Sequence, residues 1–272
     1  MPLPLLDGLG AALADLVLPS SCAGCGAERV RLRFGACGPC AAALEALTPF
    51  PTAPVPPPYG MPACTAVGAY AGPLRSALLA YKERGRHRLA RPLGVLLAAA
   101  IAEAAVRAGG GAGVPVLVLP VPSTARAVRQ RHGDHLARLA THAVRRLRAA
   151  GWQADLTQPL RALPRPDSAS LDASTRVAVA ENSLRIRTSR IRVLRRALTM
   201  KGTLIVVDDI VTTGATLAAV TGRLGEVNMQ VAGAAVLAAT RLRRSARAGF
   251  AGLPPGGTGR ADRHLLRSPN EG

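Results

Sequence analysis

Lysine is almost missing from this chain. Of 35 basic residues, only Lys82 and Lys201 are lysines, and with just 16 acidic residues the net charge is +19. A surface of that sign attracts polyanions, both nucleic acid and phosphorylated metabolites. The excess of arginine and alanine also has a plain explanation in genomic base bias. Aromatic residues are scarce too, at 3%. They do not interleave with the basic stretches at 126–148, 185–201 and from 241 onward, which argues against a base-stacking surface there. The core must therefore be built from Ala, Val and Leu, and 49% hydrophobic content is enough to bury one. No transmembrane helix is read from the sequence. Residues 3–18 are apolar but contain Asp7 and Asp15 and have no basic leading segment, so they read neither as a signal peptide nor as a membrane span. The expectation is a cytoplasmic protein.

One stretch carries far more information than the rest. Residues 204–217 read LIVVDDIVTTGATL. Leu204, Ile205, Val206 and Val207 form an apolar run too short for a membrane and suited to a buried strand. Asp208 and Asp209 close that run. Thr212, Thr213, Gly214, Ala215 and Thr216 then precede an apolar-periodic helix. A strand, a short hydroxyl- and glycine-containing loop and a helix start make an anion cradle. Backbone N–H groups point out of the turn, and the helix N-terminus adds partial positive charge. Gly214 permits close approach of a phosphate, and the threonines supply hydroxyl donors. Carboxylates would repel a bare phosphate, so the ligand must also bring sugar hydroxyls or a bridging metal to face them. An ordinary strand and turn accounts for Val206 and Val207, but not for two charges followed by three threonines.

Cysteine is limited to five residues, and four of them fall in two pairs: Cys22-Ala-Gly-Cys25 and Cys37-Gly-Pro-Cys40. Two such turns can close a tetrahedral structural zinc site with no open position for chemistry. Gly24, Gly26 and Gly38 suit the turns. A pair of disulfides is the alternative, disfavoured in a reducing compartment, and a redox C-x-x-C would need only one pair. Cys64 lies in an apolar run and reads as a small buried hydrophobe.

These anchors divide the chain. Residues 1–47 hold an opening helix (5–18) and the zinc-ribbon module. Residues 48–62 contain seven prolines and read as a semi-extended linker. Residues 63–243 form the main domain, and 244–272 a disordered basic tail. Strands are expected at 65–70, 114–121, 152–160, 203–207 and 229–238, with helices at 73–81, 89–107 and 134–149. The polar segment 163–182 suits a mobile loop. This alternation predicts an α/β fold with a parallel, Rossmann-like sheet and a ligand site at the carboxyl ends of its strands. His132 and His135, three residues apart on one face, could serve as a base, but no ligand partner is evident and they are expected to be solvent-facing helix residues.

The DDIVTTGAT run resembles the signature of type I phosphoribosyltransferases. The resemblance implies that Asp208 and Asp209 hold the ribose hydroxyls of phosphoribosyl pyrophosphate, and that Thr212, Thr213, Gly214, Ala215 and Thr216 hold its 5′-phosphate. It implies Mg²⁺ as the accompanying metal. Joined to a zinc ribbon, the layout resembles the ComF family, linked to competence and DNA uptake. Tyr70-x-Gly72-x-Leu74-Arg75, Tyr81-Lys82, the strand end Val118-Leu119-Pro120-Val121-Pro122 and the arginines from Arg126 to Arg131 are similar to that family's segments. By the same analogy Lys82 and Arg126 are expected near the pyrophosphate. The chain departs from the family at Arg131-His132-Gly133-Asp134-His135, where R-G-F-N-Q is common. Ser168, Ser170 and Val179 also replace a usual glutamine, glycine and asparagine. Three functions follow as expectations: transfer of phosphoribosyl to a nitrogenous base, a non-catalytic accessory that binds nucleotide, single-stranded DNA or a helicase-like partner, or a metabolite-sensing scaffold without catalysis.

Overall fold

The computed structural model describes residues 21–164, 177, 181–191 and 202–240. The opening helix, the basic tail and most of the 163–182 segment lie outside the described residues.

The first described element is a two-strand ribbon, β1 (Leu32–Arg33) and β2 (Ala36–Cys37), followed by α1 (Gly38–Glu45). Phe34 and Gly35 form the hairpin turn, with φ of +53° and +89°. Positive φ at both central residues matches the handed twist of the flanking strands.

The main sheet has six strands: β3 (Phe50–Thr52), β4 (Cys64–Ala69), β5 (Val116–Pro120), β6 (Ala154–Leu156), β9 (Thr203–Val211) and β10 (Gly233–Ala239). Their spatial order is β3-β4-β10-β9-β5-β6, parallel except for β3 at one edge. A separate antiparallel pair, β7 (Leu160–Ala162) and β8 (Leu184–Ile186), stands apart. The expected strand at 152–160 is thus split in two, with Pro159, which has no N–H to donate, just before the second part.

Part of the proline-rich 48–62 stretch departs from the expected linker. β3 pairs with β4 through Phe50↔Ala66 and Thr52↔Cys64. An edge strand tolerates Pro51, whose missing donor faces away from the ladder. Pro54 is buried as well.

Helices cover both faces of the sheet. On one face lie α2 (Gly72–Glu83), α3 (Ala90–Arg107) and α5 (His135–Ala149), packed over Ile205, Val207, Ala235 and Leu237. On the other face α6 (Ala215–Gly225) packs over Leu204, Val206 and Val236. A short helix, α4 (Ala125–Gln130), follows β5. The period of two along β9 explains the division, since successive residues point to opposite faces. With few aromatics the layers approach closely: a Cβ on Gly94 of α3 would lie 2.4 Å from His142 Cβ of α5. With the turn before it, α3 is apolar and long enough by composition to cross a membrane, a feature the sequence reading did not identify. However, 56% of its apolar window is buried in this core.

Candidate functional site

The path of the chain around β5 and β9 creates the site. These strands are parallel neighbours, with Leu119↔Val206 and Pro120↔Val207 in register. After β5 the chain turns to α5 on one face, and after β9 it turns to α6 on the other. Neighbouring strands whose helices leave in opposite directions open a crevice at their carboxyl ends. A cavity of about 710 Å³ lies there. Its walls include Val121, Pro122, Ser123, Thr124, Arg126 and Ala127 after β5, Asp208, Asp209 and Thr216 from the β9 side, and Lys82 from α2. Lys82 and Arg126 therefore share one cavity with the acid pair. The position of the acids within the strand differs from expectation. β9 runs on through both and ends at Val211, held by the pairings Ala238↔Ile210 and Ala239↔Val211 with β10.

Because they are adjacent in a strand, the two carboxylates point to opposite sides. Asp209 follows Ile205 and Val207 toward α2 and α5. It is only 7% exposed. Its Oδ2 accepts from Lys82 Nζ at 2.9 Å and lies 3.0 Å from His135 Nε2. An ionised carboxylate only accepts, so Nε2 carries the shared hydrogen. Burial pushes the Asp209 carboxyl up, but the hydrogen bond from His135 and the charge of Lys82 more than offset that and hold it below its ordinary value. Asp208 follows Val206 to the other side, is half-buried, and accepts from the Asp209 N–H at 2.8 Å. Burial of Cys64, with the charge of Asp208 adding to it, pushes its thiol up to about 12, so Cys64 is an inert buried group.

His135 is the residue whose surroundings sequence reasoning misjudged, for it is buried. The solvent-facing expectation fails because His132 is not in the helix. His132 has φ +52° and is exposed, while Asp134 caps α5 by accepting from Ala137 N at 3.1 Å. The readable signal was spacing: His135 stands four residues before Leu139, on the stripe continued by Ala143 and Leu147, all buried. Tyr81 fixes the start of that helix by donating its hydroxyl to the His135 carbonyl at 2.8 Å. Burial pushes the Tyr81 hydroxyl up to about 12, which keeps it a donor.

The loop after β9 forms a smaller hollow continuous with the cavity. It is lined by Asp208, Ile210, Thr212, Thr213, Gly214, Ala215 and Thr216, among others. Gly214 has φ +74° and occupies the N-cap of α6, which no side chain caps. The first turn of that helix, Ala215 to Leu217, borders the hollow, so its N-terminal N–H groups lie beside it. Thr213 Oγ1 accepts from Ala215 N at 3.4 Å, and Thr212 is exposed. A Cβ on Gly214 would lie 2.3 Å from Met61 Sδ and 3.3 Å from Pro54 Cγ. The proline-rich segment therefore braces the back of this loop.

In the N-terminal ribbon, the Sγ atoms of Cys22, Cys25, Cys37 and Cys40 lie within 4.8 Å of one another. Cys25 and Cys37 are 3.7 Å apart, close to the ~3.8 Å between thiolates bound about 2.3 Å from a tetrahedral zinc. Cys22 Sγ accepts from the N–H groups of Gly24 (3.3 Å) and Cys37 (3.2 Å). Burial opposes a thiolate there, but backbone N–H groups of Cys25, Cys37 and Gly24 outweigh it and lower Cys22 to about 6. The set could hold a zinc ion, with no coordination position left for chemistry.

Two outcomes follow. The purified protein should carry one thiophilic metal ion per chain, and Cys37→Ser/Cys40→Ser should remove it while the main sheet stays folded. Elemental analysis finding no such metal in the intact chain would contradict this. The second concerns Asp209. Its depressed carboxyl stabilises the fold fully above the unfolded value of about 4 and loses that effect as pH falls through the lower folded value. In Lys82→Met/His135→Leu only burial remains, and the sign reverses. The variant should be less stable near neutrality by ~3–5 kcal/mol, and the gap should close below about pH 4. Urea unfolding across pH reads this directly, and a gap that stays constant with pH would contradict it.

Comparison with known proteins agrees with the geometry. Residues 167–249 match the phosphoribosyl transferase domain. No curated protein matches the chain. The match contains β9, its acid pair, the threonine loop, α6 and β10. The chain thus combines an α/β phosphoribosyl transferase domain with an N-terminal four-cysteine cluster that could bind zinc.

Proposed function

We propose that this protein binds phosphoribosyl pyrophosphate with Mg²⁺ in the β5–β9 cavity and transfers the phosphoribosyl group to a nitrogenous base. The observation that supports this most strongly is the junction of two different surfaces at Asp208 and Thr216. Both residues line the large cavity and the small uncapped hollow. The hollow suits a 5′-phosphate, met by N–H groups and threonine hydroxyls. The carboxylates suit ribose hydroxyls, which donate to them. Both bonds to Asp209 use Oδ2, which leaves Oδ1 for a hydroxyl. Arg126, Arg131 and Lys82 add positive charge on the side where a pyrophosphate would lie.

These side chains position the sugar and neutralise the departing pyrophosphate as the bond at ribose C1 opens. The residues fit a magnesium ion carried in on the ligand's phosphates rather than a protein cage, because Lys82 and His135 already occupy Asp209 Oδ2. When bound, Mg²⁺ would spread the charge of the leaving group, with Asp208 as the nearest candidate carboxylate. The four cysteines are assigned to structural zinc. A second reading, a non-catalytic accessory that binds nucleic acid or a helicase-like partner, draws support from the net charge of +19. Release of pyrophosphate across a panel of bases separates the two.

The hollow is tested by competition. Ribose 5-phosphate carries the phosphate and hydroxyls without the pyrophosphate, so it should displace the full ligand. Thr216→Val should weaken both ligands by about 10- to 100-fold, the loss of a hydrogen bond to a charged group. If ribose 5-phosphate fails to compete at any excess, or Thr216→Val leaves affinity unchanged, the phosphate assignment is wrong.

A further inference from the structure

A second cavity, of about 780 Å³, lies between the cysteine ribbon and the corner joining α2 to α3. It shares no lining residue with the Asp208–Asp209 cavity. Its floor is apolar: Leu32 and Phe34 from the hairpin, and Leu89 from the corner. Its rim carries Arg33, Arg88 and Arg91, all exposed. No carboxylate among the described residues lines it, and none of these three arginines pairs with one among the described residues.

Three features show that the walls are built rather than incidental. Phe34 sits at the hairpin tip with φ +53°, a conformation costly for an aromatic residue, and remains 38% exposed. Its ring holds two guanidinium groups, with Arg91 Cζ at 5.1 Å and Arg33 Cζ at 5.9 Å from the centroid. Such contacts fix the direction of an arginine fork before any ligand arrives, which lowers the ordering cost of binding. The two sides of the cleft are also tied together. Arg86 of the corner donates to the Ser21 carbonyl and, at 3.2 Å, to its hydroxyl. Deeper in, burial and the charges of Arg145, Arg91 and Arg138 lower the His142 imidazole below its ordinary value, which keeps it neutral and able to accept a hydrogen bond.

We infer that this cleft is a nucleotide site that takes a nucleoside di- or triphosphate, with the base on the Leu32–Phe34–Leu89 floor and the phosphates against Arg33, Arg88 and Arg91. An apolar floor beside oriented guanidinium groups matches a planar ring joined to adjacent phosphates, and matches neither part alone. The volume fits one such ligand.

Calorimetry on the intact 272-residue, metal-loaded chain with adenosine triphosphate tests it. One molecule per chain should bind. Arg33→Glu/Arg91→Glu should weaken it by about tenfold or more, Phe34→Leu by several-fold, and Asp208→Asn should leave it unchanged. Asp208→Asn should instead weaken phosphoribosyl pyrophosphate, which the arginine variant should retain, so failure of either site is visible separately. Metal content and thermal midpoint report folding. If the double variant loses its metal, Arg91→Gln, which lies in α3 outside the ribbon, decides by the same weakening. The inference is overturned if these variants bind the nucleotide like the parent chain. It is also overturned if inorganic tripolyphosphate binds as tightly, since the floor would then contribute nothing. A thymidine oligonucleotide that displaces the nucleotide at equal or lower phosphate concentration would overturn it in favour of a strand-binding groove.

Discussion

A single carboxylate organises this protein's cleft. Asp209 lies almost wholly out of water within β9, two residues before its end, where an isolated charge could not persist. It is kept ionised by Lys82 from α2 and His135 from α5. Because the partners arrive from two helices, the contact pins both to the carboxyl end of β9. Those same helices supply or position much of the cavity wall. Tyr81, one residue before Lys82, bonds back to His135, so the three groups brace one another. The period-two alternation of the strand then does the rest. It sends Asp208 to the opposite side, toward the loop from Thr212 to Thr216. The two neighbouring acids thus have different surroundings: Asp209 is paired with Lys82 and His135, and Asp208 borders the threonine loop.

The surrounding fold serves that arrangement. The sheet's helices divide between faces at β5 and β9, and the crevice this opens is where the charged groups collect. The alanine-rich layers pack closely enough that glycine is needed where α3 meets α5. The proline-rich segment supports the back of the Gly214 turn through Pro54 and Met61. In that position it acts as structure and not as spacing, which gives the turn a rigidity its own sequence does not provide.

Much of this was legible in the sequence, where one local rule was enough. Apolar runs alternating with helical periods gave the parallel sheet, and the cysteine spacing gave the four-sulfur cluster. The loop from Thr212 to Thr216 was readable because its chemistry is contiguous. What was not legible depended on contacts between distant segments. His135 and Asp209 are 74 residues apart, and no local pattern joins them. The β3 pairing was hidden because proline density reads as extended chain, and an edge strand is the one place in a sheet that accepts it. The second cavity was hidden for the same reason: its aromatic and its arginines come from the ribbon and from the α2–α3 corner. Within β9, charge at Asp208 and Asp209 suggested a strand end, whereas the ladder to β10 carries the strand on to Val211.

The central claim is that β9 presents its acids to a sugar phosphate. Calorimetry of phosphoribosyl pyrophosphate with Mg²⁺, on the intact chain and on Asp208→Ala/Asp209→Ala, tests it most directly. The account predicts one binding event per chain, dependent on the metal and lost in the double variant while the variant's circular dichroism still reports a folded sheet. A folded double variant that binds as tightly as the parent, or a parent chain that shows no binding at all, would contradict it.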